Sequence, residues 1–466
     1  MSFQTNNLTA GFIDLATSDQ LESKIYGGDE AVTYFVRQHK KSTWFTQVPV
    51  VLTNASGTGD FGNQWSVTVS RAGDYLLQAW LEVVLPKYTN EASHLNFWCK
   101  NLMHNLVEEC TITFNDLVAS RFTSEILDFW TAFSVPASKR AGYDQMIGHG
   151  EKTLAKDGQS HVFVRGLPVG GDVNGTAHRL NLPLPFFFSR DTGVALPTAA
   201  LPYNDMRINF RFRTQAALLS SFVKEVLDGE TVVSTAKEVN FSTAFITEAA
   251  LTPIPYARVW ANYAIVSNQE RKLMGGYARN IIIEQFQQAP VVKLEADKFI
   301  DIRFSHGIKA LMFGLRFKNN NQQSVTDAAL KLTGSGGDLF SRYYHRNDAL
   351  EAGASYDRRT PFVDTSLLYE NTTRLGSIPS LMSTHLQPFY HAESIPTDEP
   401  GMHLYSYGLD MMDVDAAGST NFGKLTNVSL GGVSITGLTE SPDAVITAIN
   451  HNVIRISGGA LGFPIL

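Results

Sequence analysis

Cysteine is nearly absent from this chain: Cys99 and Cys110 are the only two in 466 residues. Two thiols cannot build a disulfide framework, and a reducing compartment is the simplest reading. Charge is scarce too. Asp, Glu, Lys and Arg make up 18%, against roughly 25% in an average soluble domain. A chain so short of charge is expected to have much of its surface covered by partners. No run approaches the ~18 apolar residues that a membrane-spanning helix needs. The opening Met1 to Ala10 has neither a basic nor an apolar block, so no secretory leader is expected. A basic excess is also missing: the net charge is −7 and the pI about 6.0. That argues against coating duplex DNA, and no direct nucleic-acid partner is expected.

What is present is apolar and aromatic. A hydrophobic fraction of 44% excludes a disordered chain, and 11% aromatics can fill large packed layers. The dominant period is two, the period of a strand with one wet face. Met206 to Arg213 places Met, Ile, Phe and Phe at alternate positions with Arg and Asn between them. Trp65 to Val69, Val107 to Phe114, Asp301 to His306 and His403 to Leu409 alternate more loosely. Gly, Asn and Ser clusters punctuate these runs, which predicts an all-β sandwich or barrel. Helical signals are short. Thr17 with Gln20 spaces a capping box, Ser124 to Phe133 carries apolar residues at helical spacing, and Asn268 to Met274 runs into Gly275-Gly276. Organisation follows: an N-terminal arm 1–45, a first β domain 46–267, a linker helix 268–279 and a second β domain 280–466. The stretches 214–242 and 318–362 lose periodicity and are expected to be exposed loops. The second of them, opened by Asn319 to Gln323, is expected at an outward tip.

Gly57 to Gly62 matches G-x-G-x-x-G, but Asn63 to Val69 continues as a strand, not as the helix that phosphate binding requires. The twelve histidines show no metal spacing, and Cys99, Cys110, His94 and His104 do not fit a zinc site. Glu108 and Glu109, adjacent in one strand, should point to opposite faces and so cannot act as a glycosidase pair. The six tryptophans sit mostly in apolar runs and should be buried. No catalytic residue, cofactor or metal site is expected.

The apolar landmarks carry a resemblance. Leu182-Pro183-Leu184-Pro185-Phe186-Phe187-Phe188-Ser189-Arg190-Asp191, then Leu201-Pro202-Tyr203-Asn204, resembles the iridovirus major capsid proteins. Gly11 to Thr17, Ser70 to Tyr75, Leu368 to Thr372, Gly418 to Gly423 and the closing Gly462-Phe463-Pro464 agree. The wording is nearer to the invertebrate iridescent viruses than to the fish and amphibian ones. The resemblance implies a double jelly roll, two eight-stranded sandwiches in tandem, assembling as a homotrimer of pseudo-hexagonal outline. It further implies an icosahedral shell, built in the host cytoplasm over an internal lipid membrane, with neighbouring capsomers and minor capsid proteins as partners. The amino end would lie on the inner side of that shell. On that basis Arg37, His39, Lys40 and Lys41, the densest basic patch, are expected to meet lipid headgroups or an acidic minor protein. Phe186, Phe187 and Phe188 cannot alternate without exposing an aromatic ring. They are placed at a contact between domains or subunits, with plain core as the alternative. The competing function is a carbohydrate-binding or carbohydrate-cleaving β-sandwich; a minor spike or penton protein is a third.

Overall fold

The computed structural model describes residues 4–37, 39–156, 160–172, 174–227, 230–240, 242–248, 250–293, 299–316, 364–396, 401–431 and 443–464. Met1–Trp44 and Phe45–Leu466 separate into two compact units. The first unit holds a helix, Gln4–Ala16, and a single helical turn, Glu22–Ile25. The expected capping box does not form. The Thr17 hydroxyl donates back to the Asp14 carbonyl at 2.7 Å, so it closes the first helix instead of opening the second.

The second unit contains two antiparallel sandwiches in succession. In the first, a sheet ordered Phe45–Val51, Tyr256–Val266, Tyr75–Val84, Arg179–Pro183 shares a core with a second sheet. That partner sheet is ordered Thr53–Gly57, Gln64–Thr68, Met206–Phe212, Val107–Phe114, Leu117–Thr123. The alternation of Met206–Phe212 is realised: Met206, Ile208, Phe210 and Phe212 are buried while Arg207 is exposed. Gly57 to Gly62 is the loop joining two strands of that sheet.

Three expectations need correction. Between Val107 and Glu109 the register against Met206–Phe212 slips by one residue, leaving Glu108 as the extra residue of a β-bulge. Both Glu108 and Glu109 therefore reach Arg211, at 3.0 and 3.4 Å, instead of facing apart. The stretch 214–242 is not a plain loop. It contains an antiparallel hairpin, Leu219–Leu227 with Glu230–Asn240, whose first strand also pairs with His94–Trp98. Lastly, Trp44 is 89% exposed, while Trp65, Trp98 and Trp130 are buried as expected. The stretch 318–362 lies outside the described residues.

The second sandwich is built from Arg279–Gln288, Asp443–Ser457, Gly307–Arg316, Met402–Ser406 on one sheet. The other sheet is Ile300–Asp301, Val428–Gly431, Asp364–Tyr369, Thr372–Pro379. Gly307–Arg316 is buried on both faces. Leu311, Phe313 and Leu315 enter the core of this sandwich, whereas Ala310 and Met312 join the larger core shared with the first. Asp443–Ser457 divides the same way, with Ala444, Ile446 and Ala448 inward and Val445 and Ile449 toward the first sandwich. One sheet thus serves two cores.

Between the sandwiches runs the expected helix, Asn268–Gly276, capped by the Ser267 hydroxyl. Arg271 holds it down with two bonds to the buried Asp74 carboxylate, at 2.8 and 2.9 Å. Burial pushes the Asp74 pKa up, but Arg271 and the Val266 amide outweigh it and hold the group below the usual carboxylate range.

Candidate functional site

The most chemically loaded region is the joint where the two sandwiches meet. Its centre is the helix Ser124–Ser134, buried on almost every side. The predicted apolar spacing at Ile126, Leu127, Trp130 and Phe133 anchors it in the first core. Trp130 meets Phe286 of the second sandwich edge-on, with ring centroids 5.3 Å apart. Backbone and amide bonds add specificity. Gln285 Nε2 donates to the Ala119 carbonyl (2.7 Å), and Thr123 Oγ1 donates to Gln288 Oε1 (2.7 Å).

Two buried ion networks cross this joint. In the first, Glu284 of the second sandwich accepts from Arg190 Nε at 2.7 Å and from Lys309 Nζ at 2.7 Å. Lys309 is 0% exposed and also donates to the Asp413 carbonyl. Arg190 comes from the first sandwich, donates to the Met412 carbonyl, and lies 4.3 Å over the Trp130 ring. In the second network Glu125 meets Arg316 at 2.8 Å and Arg213 at 3.9 Å. Burial raises the Glu125 pKa, yet the Arg316 and Arg213 charges outweigh that and keep the carboxylate ionised. Buried charges persist only when paired and hydrogen-bonded.

A third cluster, Asp128–His104–Tyr143, has both links at 2.7 Å and is buried. It ties three helical segments together, and burial pushes the Tyr143 hydroxyl far up, away from any proton-transfer range. Cys99 and Cys110 are buried and not joined in a disulfide, and burial likewise raises Cys110. Among the described residues no group of three His, Cys, Asp or Glu side chains could hold a metal.

Of the residues singled out in the sequence, Arg37, His39, Lys40 and Lys41 are all exposed, in the Met1–Trp44 unit. Phe186, Phe187 and Phe188 are buried in the shared core. Phe186 packs on Phe122 at 5.2 Å, and the turn Phe187–Ser189 touches the strand Arg279–Gln288 of the second sandwich.

Residues 33–266 match the family model for the major capsid protein N-terminus, and residues 270–462 match that for the large eukaryotic DNA virus major capsid protein. The chain belongs to the major capsid protein family of large eukaryotic DNA viruses. It is 46% identical to the major capsid protein of Wiseana iridescent virus over 98% of this chain and 94% of that one. The corresponding figures for Invertebrate iridescent virus 6 are 44%, 100% and 100%. Among solved structures the fold is similar to the PBCV-1 virus capsid, with a TM-score of 0.66, 18% identity, and coverage of 93% of this chain and 100% of that one. It is also similar to the Faustovirus major capsid protein, with a TM-score of 0.65, 12% identity, and coverage of 98% and 99%. The fold is a double jelly roll, and this capsid protein is a structural component of the virion.

The joint residues tie the two sandwiches of this capsid protein to each other. Sequence reading passed over Glu284, Lys309, Glu125 and Arg316. Their signal was a lone charge inside an apolar run, as in Ile281-Ile282-Ile283-Glu284 and Lys309-Ala310-Leu311-Met312. Such a charge pairs with a distant partner that one-dimensional spacing does not reveal.

Proposed function

We propose that this capsid protein assembles as a homotrimer whose six sandwiches give a pseudo-hexagonal capsomer, and that these capsomers tile an icosahedral shell. It acts without catalytic chemistry. The observation that carries the trimer is an exposed apolar patch beside the joint. Leu386, Phe389 and Tyr390 protrude from the helical segment 382–391, and Leu409 is brought alongside by the His391 Nδ1 bond to its carbonyl at 2.8 Å. Clustered apolar surface of this kind marks an interaction site, whereas single exposed apolar residues do not. A second copy fits it, since a shell protein's most abundant neighbour is itself. Light scattering of the purified chain should give three times 51.4 kDa. A Phe389→Ser/Tyr390→Ser variant should dissociate at least ~10-fold more readily, as truncated aromatic anchors do. A folded wild-type monomer at micromolar concentration would sink the proposal. In the same reading Phe186, Phe187 and Phe188 serve the joint between sandwiches within one chain.

The exposed arm favours a further partner on the inner side of the shell. Leu8, Phe12 and Leu15 lie exposed on one side of the helix Gln4–Ala16, and Arg37, His39, Lys40 and Lys41 follow. We infer contact with anionic lipid headgroups, at about 1 kcal/mol per basic residue near a charged surface. Three arms per trimer would add avidity, and an acidic minor capsid protein is the other candidate. Trimers should float with anionic liposomes at low salt and less so at physiological salt. An Arg37/Lys40/Lys41→Ser variant should lose that flotation. Equal flotation of both proteins removes the lipid contact.

A further inference from the structure

The two sandwiches repeat one plan. Phe45–Val51, Tyr256–Val266, Tyr75–Val84 and Arg179–Pro183 have their counterparts in Arg279–Gln288, Asp443–Ser457, Gly307–Arg316 and Met402–Ser406, neighbour for neighbour. Gln64–Thr68, Met206–Phe212, Val107–Phe114 and Leu117–Thr123 correspond in the same way to Ile300–Asp301, Val428–Gly431, Asp364–Tyr369 and Thr372–Pro379. The corresponding strands also follow one another in the same chain order. After Leu117–Thr123 comes the helix Ser124–Ser134, and after its counterpart Thr372–Pro379 come Met382–Leu386 and Gln387–His391. The joint is one use of this plan. There the first sandwich's helix, with the strand before it, meets the first-named sheet of the second, through Thr123 with Gln288, Trp130 with Phe286 and Glu125 with Arg316.

The reciprocal pair of surfaces does not meet within one chain. Leu386, Phe389 and Tyr390 stand exposed on the helical segment of the second sandwich. On the corresponding sheet of the first sandwich, Val51, Trp260 and Trp80 lie side by side across three strands. Val50, Val259 and Leu81, at the alternate positions, enter the core, so these three face outward. Val51 is exposed and both indoles are partly so. The ring planes are 4° apart with centroids at 6.1 Å. Glu82 accepts from Trp260 Nε1 at 2.8 Å and from the Tyr256 hydroxyl at 3.1 Å, which holds the aromatic rings in place before any partner arrives. Charge matches as well. Arg258 and Arg179 edge this face, whereas Glu393 and Asp410, both exposed, flank the aromatic patch of the second sandwich.

We propose that the helical segment 382–391 of one copy docks on the Trp80–Trp260 face of the next, repeating between chains the contact that joins the sandwiches within one. This rests on the homotrimer reading and gives it a direction: the contact runs head to tail, patch to face. A head-to-tail contact yields a finite assembly only by closing into a ring, here one in which first and second sandwiches alternate.

The test uses the full-length chain and light scattering. Val51→Glu/Arg258→Glu alters two exposed side chains of the face and should weaken the trimer at least ~10-fold, as Phe389→Ser/Tyr390→Ser does from the other side. Cysteine linking reads the direction in a chain that is otherwise unaltered. Val51→Cys/Leu386→Cys, treated with a short bis-maleimide, should give covalent trimers, and neither single variant should link. Cys99 and Cys110 are buried and stay out of the reaction. A wild-type trimer that the face variant leaves intact overturns this contact while the homotrimer stands. Linked dimers from either single variant, or no linked trimer from the double one, overturn the head-to-tail pairing. A wild-type monomer overturns the homotrimer and this contact with it.

Discussion

Replacing Glu284 by leucine is expected to cost about 3–5 kcal/mol of folding stability, because it strands two cations inside the joint. Lys309 is fully buried and Arg190 nearly so, and Glu284 is the carboxylate both of them share. With it gone, Lys309 keeps only the Asp413 carbonyl and Arg190 the Met412 carbonyl and the Trp130 ring. The triple variant Arg190→Met/Glu284→Leu/Lys309→Met should recover most of the loss, since the desolvation cost of the ions disappears together with their attraction. Urea unfolding of the three proteins measures this directly. A Glu284→Leu protein as stable as the wild type would mean that the network contributes nothing to holding the sandwiches together.

Acidification should weaken the fold well before its carboxylates titrate, and His403 is the main cause. Its ring is buried, stacked on Phe313 with centroids 5.0 Å apart, and its Nδ1 bonds the Ser383 hydroxyl at 2.8 Å. Burial pushes its pKa down to about 3 from the ordinary 6.5. The unfolded chain therefore takes up a proton that the folded chain refuses. The stabilisation is complete above about pH 6.5 and falls by about 1.4 kcal/mol for each pH unit below it, down toward pH 3. His451, lowered by burial and then by the Lys309 charge, acts in the same direction. Asp74 and Glu125, whose folded values are depressed, add their losses only at lower pH. Urea midpoints taken at about pH 7 and about pH 5 should thus fall for the wild type and fall clearly less for His403→Phe, which keeps the ring contact with Phe313. Identical slopes in the two proteins would clear His403 of the effect.

How far each feature was legible in the chain depends on the range of the force behind it. Met206–Phe212 could be read directly because one face is core and the other is not, so its period is visible in seven letters. The helix Ser124–Ser134 was legible from the spacing of Ile126, Leu127, Trp130 and Phe133, although its burial on all sides was not. Gly307–Arg316 escaped notice because both of its faces are buried, and a run such as Ile308-Lys309-Ala310-Leu311-Met312-Phe313 has no period to see. The bulge at Glu108 was invisible for a related reason, since register belongs to a pair of strands. The Leu219–Leu227 hairpin lacked the alternation that one wet face imposes.

By itself, then, the sequence determined the β class and the poverty of charge. It also carried, through its proline- and aromatic-rich landmarks, the family. These are local or compositional properties, written in neighbouring residues. Only the tertiary structure decided that one sheet of the second sandwich faces two cores, and that Arg190, Glu284 and Lys309 meet across 94 and 25 residues of chain. It alone set Val51, Trp260 and Trp80 side by side on one outer face. The physical reason is common to all three: burial and charge pairing act through space, and residues far apart in the chain become neighbours only once the sheets have packed.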